Sequence, residues 1–101
     1  MNVKKIQENI NILGVEMKIF LSFINFSDRN GRTNLKKTVL ATALKTSAQT
    51  IGKYIKNFVD VKILKYKFSG EAMLNPEFYY VGDAGELDAV LEEYKNFKSD
   101  M

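Results

Sequence analysis

The sequence has no cysteine, no histidine and a single proline in 101 residues. Without cysteine there is no disulfide framework, no thiol nucleophile and no thiolate zinc site. Without histidine the commonest metal ligand and the commonest general base are missing. Carboxylates and tyrosines remain, but the chain reads as a binding protein and not as an enzyme. It shows no low-complexity tract and no repeat at solenoid spacing. Its longest apolar segment, Ile19 to Phe26, is interrupted by Ser22 and Asn25 and is too short to span a bilayer. The start, "MNVKKIQENINIL", carries acidic and amide residues where a signal peptide needs an apolar run. A cytoplasmic protein is expected.

The content of the chain suits one compact domain. Hydrophobic residues make up 46%, including 7 Phe and 5 Tyr, which is enough for a core. The net charge of +3 conceals a strong asymmetry. Residues 1–28 balance to zero. From Arg29 to Phe68 ten bases face one acid, Asp60, for a charge of +9. From Ser69 onward only Lys95 and Lys98 oppose eight acids, for −6. A central segment of that sign attracts a polyanion such as DNA, although a solvated lysine-rich surface would have the same composition.

Periodicity gives the elements. Val3, Ile6, Ile10 and Leu13 recur at helical spacing. A second helix is expected from Val15 to Phe26, with so many apolar positions that it reads as the central, most buried one. "SDRNGR" breaks the chain, and a short extended piece follows at Thr33 to Leu35. "KKTVLATALK" is a helix with Val39, Leu40, Ala43 and Leu44 inward and a cap at Asn34, Lys36 or Thr38. After a turn, Ser47 caps a helix over about Ala48 to Asp60, with Ile51, Ile55 and Phe58 inward. "KILKYKF" alternates, with Leu64, Tyr66 and Phe68 on one side and Lys65 and Lys67 on the other. "SGE" turns it, and Ala72 to Val81 returns as a second strand, where Pro76 marks an edge or the end of pairing. Leu87, Val90, Leu91, Tyr94 and Phe97 define a last, acidic helix whose stripe is expected to pack on the N-terminal helices, within one chain or across a dimer.

Two helices across a three-residue turn, then a hairpin, is the winged helix-turn-helix arrangement. The expected fold is therefore α+β and mainly helical, with a two-stranded β-hairpin wing and flanking N- and C-terminal helices. It is a single domain over 1–101, with N-terminal helices at 1–26, the helix-turn-helix at 36–60, the wing at 62–81 and the last helix at 85–98. Ala41 supplies the small residue at the helix crossing, Ile51 packs back ten positions later, and Ser47 is the cap. Many such turns hold Gly where Lys45 stands; either Lys45 adopts a left-handed backbone or the turn has another shape.

With Ile51, Ile55 and Phe58 buried, the second helix turns Ala48, Gln49, Thr50, Gly52, Lys53, Lys56 and Asn57 outward. In a recognition helix Gln49 can read adenine and Thr50 can touch a thymine methyl. Lys53 and Asn57 can reach base edges or phosphates, and Lys56 suits a phosphate. Lys65 and Lys67 on the wing suit phosphates, which position without specifying. Glu71 at the wing tip argues against deep minor-groove insertion. Arg32, with Arg29, either adds a DNA contact or solvates its turn. The expected DNA-binding set is Ser47, Gln49, Thr50, Lys53, Lys56, Asn57, Lys65, Lys67, Lys36, Lys37 and Arg32. Tyr54, Tyr79 and Tyr80 lack the histidines or metal site of nicking enzymes and read as core. No catalytic residue, metal or cofactor is assigned.

Ala41 to Tyr94 also resembles the firmicute plasmid replication protein family, RepL. Its more specific features are "MLNPEFYYVGD" (Met73 to Asp83) and an acidic helix closing on "EEY". The chain departs at Lys45 and Lys62, where glycines are typical of that family. The resemblance implies a DNA-binding replication protein of a plasmid or related mobile element. The expected partner is double-stranded DNA, with a second copy and an unidentified replication component as further candidates. A transcriptional repressor and a protein–protein module on the same fold are the alternatives, since binding physics does not separate these roles.

Overall fold

The computed structural model describes residues 14–100. The expected first helix, through Val3, Ile6, Ile10 and Leu13, lies outside the described residues. The described chain is α+β, with four helices and one three-stranded antiparallel sheet. The elements are α1 (Val15–Phe26), β1 (Arg32–Asn34), α2 (Lys37–Ala43), α3 (Ala48–Asp60), β2 (Leu64–Tyr66), β3 (Glu71–Leu74), a 3-10 turn (Ala84–Glu86) and α4 (Leu87–Asn96).

The principal core gathers where α1, α2 and α3 meet one face of the sheet. Ile19 and Phe23 of α1, Leu40 and Ala41 of α2, Ile51, Ile55 and Phe58 of α3, and Leu64, Tyr66, Ala72 and Leu74 of the sheet are buried together. Phe23 meets the Tyr66 ring edge-on at 6.1 Å, the arrangement that ring quadrupoles favour. The Tyr66 hydroxyl donates to the Leu35 carbonyl at 2.8 Å, so the buried phenol keeps its hydrogen bond.

Burial differs from the periodic reading in two helices. The apolar surface of α1 is too wide to be covered on all sides: only Ile19 and Phe23 are buried, while Met17 and Phe26 are exposed. The central position falls to α3. In α2, seven residues long, Leu40 and Ala41 face the core, whereas Val39 and Ala43 are exposed. Val39 is two residues from Ala41, about 200° around the helix, and so lies on the side away from the core.

The sheet order is β1-β3-β2, so the short extended piece is a third strand and the hairpin is not two-stranded. Asp28 nucleates the addition. Its carboxylate accepts the Asn30 and Arg32 amides at 2.8 and 2.9 Å, which aims β1 at β3. Arg32 then stands opposite Met73 and Asn34 opposite Glu71.

β3 also ends earlier than alternation suggests, at Leu74. Asn75 folds the chain into a turn: its carbonyl accepts from Phe78 and Tyr79, and its side chain binds the Lys62 carbonyl and the Glu77 amide. Pro76 sits where pairing stops. The β2–β3 turn closes from Lys67 to Gly70, with the Gly70 amide on the Lys67 carbonyl at 2.9 Å. This turn takes Phe68 out of the strand and leaves it 67% exposed, contrary to its expected inward position. Gly70 has φ 102, and a Cβ there would stand 2.7 Å from Asn34 Oδ1. Only glycine fits both conditions.

The last helix packs across the second face of the sheet, with Val90 and Phe97 on Met73. The expected seat on the N-terminal helices is not seen for α1, because Met73 between Arg32 and Lys65 offers the apolar floor. Beyond α4 the chain runs back along β2. Tyr66 donates to Ser99 Oγ, and Asp100 donates to the Tyr66 carbonyl. These bonds occupy the outer edge of β2, which would otherwise present unpaired backbone groups.

Candidate nucleic-acid interface

The residues expected at DNA divide into two groups on different sides of the sheet. The first group surrounds α3. Ser47 has an extended backbone and caps the helix: its hydroxyl accepts the Thr50 amide at 3.1 Å and donates to Thr50 Oγ1 at 2.9 Å. This satisfies one of the free amides of the first turn. Ile51, Ile55 and Phe58 are buried, so the opposite side is fixed outward. Gln49, Lys53, Lys56 and Asn57 are exposed, and Thr50 is half-buried. The acid-free stretch from Ala48 to Val59 carries two lysines on this side.

α2 adds two more cations. Lys36 is the N-terminal cap residue of α2, with ψ 145, which settles the three-way choice of cap position. Lys37 lies across Gly52 of α3: its Cδ, Cε and Nζ are each 3.6 Å from the place of a Cβ on that glycine. Its ammonium also stands 5.7 Å from the Tyr66 ring and 5.0 Å from the Phe68 ring. One cation therefore links the exposed side of α3 to the β2–β3 turn.

Both ends of this helical pair are closed by the same device. The Lys45 amide bonds the Thr42 carbonyl and the Thr46 amide bonds Ala41; Lys62 bonds Val59 and Ile63 bonds Phe58. Each pair of bonds is a Schellman motif, whose residue after the cap is left-handed. Lys45 and Lys62 have φ of 54 and 64. Lys45 thus takes the left-handed alternative. The motif keeps the helix–turn–helix geometry of a glycine turn with a lysine in the strained place.

The second group, Arg32, Lys65 and Lys67, is engaged with α4. Arg32 and Lys65 flank Met73 on the face that α4 covers. Arg32 pairs with Glu93 at 3.1 Å and lies over the Phe97 ring at 4.9 Å. The Lys65 ammonium donates to the carbonyls of Tyr94 and Lys95 at 2.7 and 3.3 Å, where the α4 dipole is negative. Burial lowers its pKa from the ordinary lysine value. Lys67 pairs with Glu71 at 3.6 Å and also lies over Phe97. These three side chains hold the last helix down. Burial raises the Tyr94 phenol above its usual pKa, and the nearby Glu77 carboxylate adds to the shift. Arg29 ties its turn to Asp83 and Glu86.

A family model for the firmicute plasmid replication protein (RepL) matches residues 2–101. The chain belongs to that family. The match runs over nearly the whole chain, well beyond the Ala41–Tyr94 stretch that carries the resemblance in the sequence. No curated protein and no solved structure matches the chain. Among the described residues of this RepL-family protein, no helix is long and apolar enough to cross a membrane. Lys37 was only one base among many in the sequence, because nothing in spacing shows that it crosses α3. The outward turn of Phe68 was hidden for a related reason: alternation continues through it while the strand does not.

Proposed function

We propose that this plasmid replication protein binds double-stranded DNA with sequence preference, as a winged-helix protein with α3 as the recognition helix. The observation that supports the reading best is the exposed side of α3, polar and with a single acid, Asp60 at its last residue, opposite a buried apolar side. Gln49 and Thr50 lie at its N-terminal end, the part that reaches base edges in the major groove. Lys53, Lys56 and Asn57 follow, and Lys36 and Lys37 extend the cationic surface on α2. The small Gly52 lets the Lys37 side chain lie close against α3, which brings that cation beside the exposed side of the helix.

The protein acts by binding and carries out no chemistry of its own. It works in the cytoplasm, at the initiation or control of plasmid replication. Two copies would place two α3 helices on successive turns of the duplex. Lys53, Lys56, Lys36 and Lys37 supply phosphate contacts, whereas Arg32, Lys65 and Lys67 serve the fold.

Fluorescence anisotropy on labelled duplexes tests this directly. Affinity is expected to fall steeply between low and physiological salt, and to be higher for one segment of the parent replicon than for random DNA. Absence of duplex binding at low salt defeats the reading.

A further inference from the structure

We propose that Phe68 is a DNA-contacting residue, whose ring packs on a deoxyribose beside a phosphate held by Lys37. The inference rests on the duplex-binding reading of α3 and adds a contact that neither charge nor periodicity suggested.

Phe68 stands at the β2–β3 turn, 67% exposed. A single exposed apolar residue needs no explanation by itself. This one has three features that bear on a ligand. First, its position is fixed. The Gly70 carbonyl accepts from Leu35 at 2.9 Å, and the Phe68 amide donates to the Asp100 carboxylate at 3.1 Å. The turn is tied down on both sides, so the ring is held out by a rigid frame.

Second, its neighbour is a cation that also touches α3. The Lys37 ammonium is 5.0 Å from the ring and 3.6 Å from the Cβ position of Gly52. Among the exposed aromatic residues described, Phe26, Phe68 and Phe78, only Phe68 has a cation over its ring. A backbone phosphate on Lys37 brings the adjoining sugar to Phe68 while α3 lies in the neighbouring groove.

Third, the chemistry suits a sugar and not a deep wedge. Glu71 and Asp100 stand at the same turn, the first paired with Lys67 and the second bonded to the Phe68 amide. Carboxylates there repel the closely spaced phosphates that line a minor groove. An aromatic ring can still cover the apolar face of one deoxyribose at the rim. Such a contact is blind to sequence.

The chain has no tryptophan, so Phe68→Trp installs a single indole at the site, which is excited selectively at wavelengths beyond the absorption of the 5 tyrosines. With saturating duplex, its emission is expected to shift to shorter wavelength while affinity stays near wild type. Phe68→Ala is expected to weaken every duplex alike, by about fivefold, with an unchanged salt slope, because no phosphate contact is lost. Phe68 is exposed, so neither change threatens folding. If the parent chain binds duplex and both variants are silent, the Phe68 assignment fails alone. Emission that is quenched, with single strands preferred over duplex, also overturns it in favour of base stacking. If the parent chain binds no duplex, the α3 reading fails with it.

Discussion

Lys37 lies over Gly52, with three of its side-chain atoms 3.6 Å from where a Cβ would project. That distance is ordinary van der Waals contact, so a methyl group fits without displacing the lysine. Gly52 is in the interior of α3, where glycine costs roughly 0.5–1 kcal/mol relative to alanine. Gly52→Ala is therefore expected to raise the unfolding free energy by about that amount, read from urea denaturation, and to leave DNA affinity little changed. Gly52→Leu has no such room. It should push Lys37 aside and lower the affinity for all duplexes together.

Lys45 and Lys62 form a second pair of related positions. Both carry a left-handed backbone at the end of a helix, a conformation that costs an L-residue roughly 1–2 kcal/mol. Glycine removes that strain but loses more freedom on folding, which offsets part of the gain. Lys45→Gly and Lys62→Gly should each stabilise by about 0.5–1 kcal/mol. The effects should add in the double variant, since the two turns share no hydrogen bond. A loss of stability in either variant would mean that the lysine side chain does more than fill the turn.

These two lysines also show what was legible in the sequence. The Ser47 cap, the core side of α3 and the bounds of α1 and α3 followed from capping and 3.6-residue spacing, because local rules dominate there. The sequence also marked Lys45 and Lys62 as departures from glycine, and both lie where glycine is favoured. Long-range pairing was not legible. Nothing local tells Arg32–Asn34 that β3 is its partner, or tells Lys65 that its ammonium will reach the carbonyl end of α4. Alternation set Lys65 and Lys67 outward on a wing, and Arg32 stood between a DNA contact and its own turn; the engagement of all three with Glu93, Glu71, Phe97 and the end of α4 depends on the last helix crossing the sheet, which no local pattern shows.

Tyr66 gives a pH dependence. Burial raises its phenol pKa above 10.0, with the Lys37 backbone pulling the other way, and burial raises Tyr94 as well. The folded state then holds the phenolic proton after the unfolded chain has lost it. This contribution to stability is complete below pH 10 and declines as pH rises from the unfolded value through the folded ones. The lowered pKa of Lys65 acts in the opposite sense, because the folded state sheds that proton first. Comparison with Tyr66→Phe isolates the phenol. At neutral pH the variant should lose about 1–3 kcal/mol, since the Leu35 carbonyl loses its donor. Its alkaline decline in denaturation midpoint should be shallower than that of the parent. Equal slopes would contradict the assigned burial of the phenol.

The two groups of cations can be separated by paired measurements of stability and DNA affinity. Lys56 is exposed on α3, and Lys65 sits against the last turn of α4. Lys56→Ala should leave the denaturation midpoint within about 0.5 kcal/mol of the parent, as surface changes do. It should weaken all duplexes alike and reduce the salt slope by about one. Lys65→Ala should do the reverse. It removes a cation from a helix C-terminus and from the Tyr94 ring, a loss of up to about 1 kcal/mol at a partly solvated site. Affinity and salt slope should hold. Gln49→Ala completes the set, because a base-reading amide is worth about 1–3 kcal/mol of discrimination and nothing to the fold. It should reduce the preference for the replicon segment over random DNA without altering the salt slope. If Lys65→Ala lowers the salt slope and Lys56→Ala does not, the DNA lies on the α4 side of the sheet and α3 is a structural helix.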